Sequence, residues 1–206
     1  MQAKLNKYLL LGAAAAMTAA VVAAAPAAAQ SRRHTLDAGP TMIVGGSRAR
    51  SCYEAALSRR DDVDALSDCN FALRGGLSRH NMVATLVNRS IVRTQRDDLS
   101  GALEDLTAAA ERNPDLSVIY MNFGEVYTRL GHWGEADAAF TRSLDLGVQN
   151  PHRAHFGRAI VREEIGDVEG AYADYMAALE LSPNWDLPRR ELERFEVIFD
   201  GEAGGA

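Results

Sequence analysis

The chain has 206 residues, with 28 acidic and 22 basic side chains and a formal net charge of −6 at pH 7. Proteins that bind nucleic acid or an anionic membrane surface carry clustered positive charge, so this balance argues against both classes of partner. The length suits one domain of ordinary size with its own apolar core.

Residues 1–29 have the layout of a secretory signal peptide. Lys4 and Lys7 give a positive start, an apolar run covers 8–22, and an Ala-Ala-Ala cleavage sequence lies at 27–29. The alternative is a membrane anchor, because the run approaches the roughly 20 apolar residues that a span requires. We expect cleavage, no membrane integration afterwards, and a periplasmic protein, with simple secretion as the other destination.

Residues 30–46 are predicted to be a flexible linker, and helical patterns start near Ser47. Cys52 and Cys69 fall in the first predicted helix pair, on either side of its turn. Antiparallel helices would place them opposite each other, and an exported protein meets an oxidising compartment, so we predict a disulfide. Two buried free thiols are the alternative. We predict no metal site, because no cluster of suitable ligands is present.

Four helix pairs are predicted between residues 47 and 185, followed by a C-terminal capping helix over 186–199 and a disordered tail over 200–206. A stack of repeats needs such a final element to cover its last apolar face. The predicted pairs join 47–59 to 62–74, 83–96 to 99–112, 117–130 to 133–147, and 152–165 to 168–181.

Residues typical of helix ends support these boundaries. Asp61, Asp97 and Asp167 can accept hydrogen bonds from free N–H groups at helix starts. Gly131 and Gly166 lie at the turns inside the third and fourth pairs, where glycine adopts a left-handed conformation without strain.

Small residues recur in steps of 12 and 7 residues, with Tyr53 in place of the first small residue of the first pair, and the middle members of the second, third and fourth sets lie 34 and 35 residues apart. Repeats of this length are typical of stacked helix pairs. We predict that helix axes approach closely at these positions. The sets are Tyr53, Ala65 and Ala72; Ser90, Ala102 and Ala109; Gly124, Ala136 and Ser143; and Ala159, Ala171 and Ala178.

The third pair resembles the tetratricopeptide repeat (TPR) signature, W-x2-L-G-x2-Y…A-x3-F…P. Tyr and Phe replace the signature Trp and Leu, and the other positions match: Tyr120, Phe123, Gly124, Tyr127, Ala136 and Phe140. The resemblance covers about residues 47–185 and is weakest in the first pair, where Tyr53 takes the place of a small residue. It implies an all-α fold, a right-handed superhelix of stacked antiparallel helix pairs whose first helices line a concave groove. The leader and composition add the expectation of an exported bacterial protein.

A peptide-binding groove is predicted at positions counted from the small residue in each first helix. The Asn amides can hold a peptide backbone, or they bond a neighbouring repeat or water. The apolar members form a floor for a ligand, or they pack between repeats. A clamp for a C-terminal carboxylate is not predicted, because Lys is absent from this region and Arg153 is the only basic residue near the start of a first helix. The predicted groove residues are Val87, Asn88, Ile91, Met121, Asn122, Glu125, Phe156 and Ile160.

The sequence favours a non-enzymatic scaffold or adaptor of the cell envelope that binds a peptide or a partner helix in this groove. The alternative is a structural subunit that assembles through its convex face or its ends. An enzyme with an unrecognised site is the third hypothesis. We predict no catalytic residues and no cofactor, because no motif for nucleophilic, metal or phosphate chemistry is present.

Overall fold

The computed structural model describes residues 19–23 and 46–199, and this part of the chain contains nine α-helices and two β-strands. The all-α architecture is confirmed. The helices are α1 (Ser47–Leu57), α2 (Val63–Arg74), α3 (Arg79–Gln95), α4 (Leu99–Arg112), α5 (Ser117–Leu130), α6 (Trp133–Asp145), α7 (Pro151–Ile165), α8 (Val168–Leu181) and α9 (Asp186–Leu192); the strands are β1 (Ala19–Ala23) and β2 (Phe195–Phe199).

The first eight helices form four consecutive pairs, α1 with α2, α3 with α4, α5 with α6 and α7 with α8. Aspartates cap three of the second helices: Asp62, Asp98 and Asp167 each accept a hydrogen bond from the backbone N–H three residues later. Two of these caps lie one residue after the predicted Asp61 and Asp97. Gly131 and Gly166 are left-handed, with φ of 72° and 82°, as predicted.

The small-residue positions are the contact points inside the stack. Ala102, Ala136 and Ala171 are fully buried, and so are Ser143 and Ala178. Large side chains fill the space between the close approaches, and those that are completely buried include Phe140, Phe156 and Tyr175. The paired helices therefore enclose a buried interior, which consists of neighbouring apolar clusters.

Gly124 shows how strictly size is limited at these points. A Cβ atom added there would lie 2.5 Å from Cε1 of Phe140, whose side chain is completely buried. We predict that Gly124→Ala lowers the free energy of unfolding by about 1–3 kcal/mol through overpacking. Gly134→Ala is the matched control, because its new Cβ would meet nothing within 4 Å. It should leave stability unchanged or raise it by up to about 1 kcal/mol, and equal losses for both variants in urea denaturation would contradict the close contact.

The predicted disulfide is present. Cys52 in α1 and Cys69 in α2 are bonded, with Cα atoms 4.7 Å apart, and both side chains are fully buried. The bond joins the two helices of the first pair near the middle of each. It therefore fixes α1 against α2 where the TPR resemblance is weakest.

The C-terminal end differs from the predicted helix over 186–199. Helix α9 ends at Leu192 and packs on α8, so the capping role is retained by a shorter helix. The chain then turns and forms β2, which pairs with β1 in antiparallel register. Aromatic and β-branched residues such as Phe195 and Val197 favour extended structure, and pairing with β1 satisfies the backbone groups.

Only a short part of the predicted signal peptide, linker and tail lies within the described residues. Ala19–Ala23, inside the predicted signal peptide, forms β1. The rest of the predicted signal peptide, the linker up to residue 45 and the tail from residue 200 lie outside the described residues. Within the described ranges, no helix combines the length and apolar character needed to cross a bilayer.

Candidate functional site: the first-helix face

The first helices of successive pairs form one layer of the stack. Helix α1 contacts α3, α3 contacts α5, and α5 contacts α7. Successive second helices make no contact of comparable extent in the described part of the chain. A layer whose helices lie closer together than those of the opposite layer forms the inner side of a curve. The first-helix face, defined by α3, α5 and α7, is therefore the side on which a concave surface is expected.

Three of the predicted groove residues are partly exposed on this face. Ile91, Glu125 and Ile160 each lie one position after the small residue of α3, α5 and α7. They occupy equivalent positions in three adjacent helices, apolar in α3 and α7 and acidic in α5, and Ile91 and Ile160 also pack against the core clusters. We call these three residues the face row.

The other five predicted groove residues are almost completely buried. The apolar members contribute to the core clusters, with Val87 near Leu106 and Ile119 and with Met121 and Phe156 near Phe140 and Tyr175. These side chains pack between repeats, which is the second of the two alternatives. They do not form an exposed floor, because almost none of their surface is accessible to a ligand. The exposed fractions are 0% for Val87, 0% for Asn88, 1% for Met121, 3% for Asn122 and 1% for Phe156.

The Asn122 amide is bonded within its own helix. Its Nδ2 donates to the backbone oxygen of Val118 at 2.8 Å, one turn earlier in α5. Thr94 and Thr128 likewise donate their hydroxyls to carbonyls one turn earlier. These groups support the helices of the first-helix face, and in this structure the amide donor of Asn122 is directed along its own helix.

Arginine side chains connect consecutive pairs beside this face. The Arg129 guanidinium in α5 donates to the backbone oxygen of Thr94 and lies 3.0 Å from a carboxylate oxygen of Asp97. Arg96 makes the equivalent bond to the backbone oxygen of Asp61 in the preceding pair. The cation of Arg129 is therefore already paired with groups of the α3–α4 pair.

Two buried ionic clusters, centred on Asp105 and Asp174, were not predicted from the sequence. Asp105 in α4 lies 2.5 Å from Arg89 and 3.0 Å from Arg93 of α3. Its side chain is only 2% exposed. The cluster therefore joins the two helices of the second pair through charge-assisted hydrogen bonds.

The fourth pair repeats this cluster in the same register. Asp174 in α8 lies 2.8 Å from Arg158 and 2.9 Å from Arg162 of α7, and its side chain is 4% exposed. His155 Nδ1 is 2.7 Å from the same carboxylate. Each acidic residue is thus surrounded by cationic or hydrogen-bonding partners from the first helix of its own pair.

The arginines also extend to the preceding pair. Arg89 donates to the side-chain oxygen of Asn70 at 2.7 Å, and Arg158 donates to the Thr141 hydroxyl at 3.0 Å. Arg162 adds an ion pair to Asp137 at 3.0 Å. Each cluster therefore links the two helices of its own pair and also links that pair to the preceding one.

The surroundings of Asp174 favour the ionised form of its carboxyl group. Burial alone would raise the pKa of Asp174, but the hydrogen bonds from His155 and Arg158 and the charges of Arg158 and Arg162 outweigh it, so its pKa lies below the ordinary value. Near Asp174, Tyr175 donates its hydroxyl to Glu163 at 2.9 Å. Burial, together with the Glu163 charge, raises the pKa of Tyr175 far above its usual range. Neither group is poised for proton transfer near neutral pH.

Chemistry of other kinds finds no support in the part of the chain that the structure describes. No group of three or more His, Cys, Asp or Glu side chains there could hold a metal ion. His152 packs edge-on against Trp185, with ring centroids 5.4 Å apart. Its pKa is lowered by burial and by the nearby charge of Arg153.

Comparison with known sequences gives one partial relative. No protein-family model matches the sequence. Protein FlbA of Caulobacter vibrioides is 30% identical over 144 residues, which cover 69% of this chain but 20% of FlbA. The chain thus spans about one fifth of the length of that relative.

Solved structures show the fold. The first TPR of Spaghetti (RPAP3) bound to HSP90 peptide SRMEEVD has a TM-score of 0.52 and 22% identity, covering 54% of this chain and 88% of that one. The Arabidopsis OM64 TPR domain has a TM-score of 0.54 and 19% identity, covering 57% and 96%. MamA has a TM-score of 0.60 and 15% identity, covering 73% and 82%. The chain has a TPR-like fold.

Proposed function

We propose that the chain is a non-enzymatic interaction scaffold that binds an extended peptide or a partner helix along the first-helix face. The observation that carries this proposal is the face row, in which Ile91, Glu125 and Ile160 present partly exposed side chains at equivalent positions of three adjacent helices. The solved TPR domain with a bound peptide supports a peptide as the ligand. Under this proposal the five buried groove residues support the face from within.

The chemistry of the face row favours a ligand with apolar side chains. Two of its three members are Ile, and the central Glu125 would repel an acidic segment. Arg129 is the cation of α5 that contacts the preceding pair, and it is paired with Asp97 and a backbone carbonyl. We therefore propose an apolar or weakly basic segment, recognised along its length and not through a terminal carboxylate.

Introducing a negative charge at the apolar positions of the face row tests the proposal. A peptide selected from a random library on the chain beginning at residue 30 should bind at least tenfold more weakly to Ile91→Glu and to Ile160→Glu, a loss of about 1.4 kcal/mol. Ile165→Glu is the matched control, since Ile165 lies in the same helix as Ile160, is 49% exposed and is outside the row. Titration by fluorescence anisotropy gives the affinities, and circular dichroism checks the fold of each variant.

Equal affinity for all three variants would exclude the first-helix face as the binding surface. If the Glu variants fail to fold, Ile91→Ala and Ile160→Ala replace them, with an expected loss of several-fold. Equal binding to the alanine variants as well would indicate that the selected peptides bind another surface.

A second candidate, assembly through an end of the stack, is favoured by exposed apolar residues on the first pair. Leu57, Val63 and Phe71 are 56%, 73% and 55% exposed, and they make up half of the large exposed apolar side chains in the described ranges. At the other end, Phe195 packs on Tyr172 and Tyr175. The side chains of residues 196–199 lie outside the described set.

We further infer that the chain acts outside the cytoplasm, in the periplasm. Two features support this inference: the signal-peptide pattern of residues 1–29 and a disulfide between Cys52 and Cys69, a bond that persists in oxidising compartments. Scaffold function in that location needs no cofactor.

A further inference from the structure

The C-terminal strand takes its backbone partner from the predicted signal peptide. β1 pairs with β2 in antiparallel register, with Val21 opposite Val197, and β1 also contacts α8. Cleavage after residue 29 would remove β1 from the mature chain. The edge of β2 that β1 covers would then present its N–H and C=O groups without a partner, as an edge strand does.

Contacts that do not involve the signal peptide hold the start of β2 in place. Arg194, the residue just before the strand, lies 2.7 Å from Glu163 of α7. The ring of Phe195 lies 5.7 Å from that of Tyr172 and 5.9 Å from that of Tyr175, between centroids. All of these partners belong to the last helix pair. These contacts fix the start of β2 independently of β1, whereas β1 makes the more extensive contact of the two strands with α8. A segment that replaces β1 would therefore pack on α8 as well as pair with β2.

We propose that β2 is a strand-addition site that binds an extended, small-aliphatic segment of a partner protein once the signal peptide has been removed. In strand addition, main-chain hydrogen bonds supply affinity, and the side chains that alternate along the added strand supply specificity. The strand that occupies the edge in the full-length chain has the sequence Ala-Ala-Val-Val-Ala, without charged or bulky residues. That composition defines the chemistry of the partner segment.

The register of β1 on β2 differs from the one that a second copy of this chain would make. β1 places Ala19 opposite Phe199 and Ala23 opposite Phe195, so that a small residue faces each large one. Antiparallel pairing of β2 with another β2 around Val197 would instead place Phe opposite Phe at both ends. The strand-addition site lies at the C-terminal end of the stack, where β1 contacts α8 and Arg194 contacts Glu163 of α7.

A peptide in trans tests this proposal. The chain beginning at Gln30 is titrated with a synthetic peptide of residues 17–25 carrying terminal arginines for solubility. We expect saturable binding with one peptide per chain and slower amide hydrogen exchange in residues 195–199. The same peptide N-methylated at alternate backbone amides cannot donate those hydrogen bonds and should bind at least tenfold more weakly.

A variant of the site itself completes the test. Val197→Pro removes a donor from the centre of β2 and should also weaken binding at least tenfold. Arg190→Ala, at a side chain that is 70% exposed in α9, is the control and should bind normally.

Three results would overturn the proposal. The first is no binding, or binding unaffected by N-methylation or by Val197→Pro. The second is a dimer of the shortened chain that cross-links between Cys residues placed at position 197, because a second copy would then occupy the edge. The third is an exported protein whose measured mass includes residues 19–23, because β1 would then fill the site permanently. Each result concerns the C-terminal end, so a failure here leaves the face-row titrations unaffected.

Discussion

Asp174→Ala should lower the free energy of unfolding by about 3–5 kcal/mol, the cost of breaking a buried ion pair by removing one partner. The carboxylate is 4% exposed and lies 2.8 Å from Arg158 and 2.9 Å from Arg162. Without it, two partly buried guanidinium groups lose their main partner, and their desolvation is no longer compensated. Urea denaturation followed by circular dichroism gives the free energy of each variant.

Asp186→Ala is the matched control on the surface. Asp186 also contacts two arginines, Arg189 at 3.1 Å and Arg190 at 3.0 Å, but its side chain is 57% exposed. Surface pairs contribute little, so this variant should change stability by less than about 1 kcal/mol. Equal effects of the two substitutions would show that burial of Asp174 does not determine its contribution.

The effect of Asp174 should depend on pH in a defined direction. Its pKa is lowered in the folded state, so the folded chain binds the proton more weakly than the unfolded chain does. The stabilising contribution is therefore fully present above the ordinary carboxyl pKa of about 3.9. It is lost as the pH falls through the lower pKa of the folded state. The difference in stability between wild type and Asp174→Ala should be constant near neutral pH and shrink below about pH 4.

The third helix pair provides a natural alternative to the ionic cluster. Phe123, Tyr127 and Ala139 occupy the positions that correspond to Arg158, Arg162 and Asp174 in the fourth pair. The two aromatic rings stack, with centroids 5.8 Å apart. The same position between two helices is thus filled by charges in one pair and by apolar contacts in the next.

A triple substitution exploits this correspondence. Arg158→Phe/Arg162→Tyr/Asp174→Ala should recover most of the stability that Asp174→Ala alone loses, because replacing a complete buried ion cluster with packed apolar residues is often neutral or better. A triple variant as unstable as the single one would mean that the links from the arginines to Thr141 and Asp137 of the preceding pair carry the cluster's contribution.

The sequence predicted the features that depend on local pattern. The steps of 12 and 7 residues correctly indicated where Gly124, Ala136 and Ala171 bring helices together, since only small residues allow that approach. The cysteines on either side of the first turn correctly indicated a disulfide. In both cases the distance between the residues follows directly from helix geometry.

The ionic clusters also left a signal in the sequence, one that apolar periodicity does not detect. Arg-x-Ile-Val-Arg occurs at residues 89–93 and again at 158–162, and Gly-Ala-x-x-Asp occurs at 101–105 and again at 170–174. Both motifs recur after 69 residues, the length of two helix pairs. A search for repeated charged residues at that spacing would have placed Asp105 and Asp174 opposite their arginines.

Other features depended on tertiary structure. Asn88 and Asn122 are buried, and their burial depends on how closely the neighbouring elements pack, which the pattern of a single helix does not contain. The strand β2 depends on a partner more than 170 residues away in the sequence, Ala19–Ala23. Local propensity favours an extended conformation for Phe195–Phe199 but does not identify the strand with which it pairs.

The Cys52–Cys69 disulfide should contribute about 3 kcal/mol to stability, the amount expected for closing a loop of this size. The sequence separation is 17 residues. The buried residues of the first pair are all small: Ala49, Cys52, Ala55 and Ala56 in α1 and Ala65, Cys69 and Ala72 in α2. Such residues bury much less apolar area than the aromatic residues of the third and fourth pairs. Loss of the bond should therefore act mainly on α1 and α2.

Hydrogen exchange can separate this local effect from global unfolding. In Cys52→Ala/Cys69→Ala, amides of residues 47–74 should exchange at least tenfold faster, while those of α5 to α8 change little, because local openings differ in free energy along a structure. Treating the wild type with dithiothreitol should reproduce this pattern, and the double variant should not respond to the reagent. Unchanged exchange in residues 47–74 would show that alanine packing alone holds the first pair. Uniformly faster exchange would show instead that the four pairs unfold as one unit, with α1 and α2 as stable as the rest.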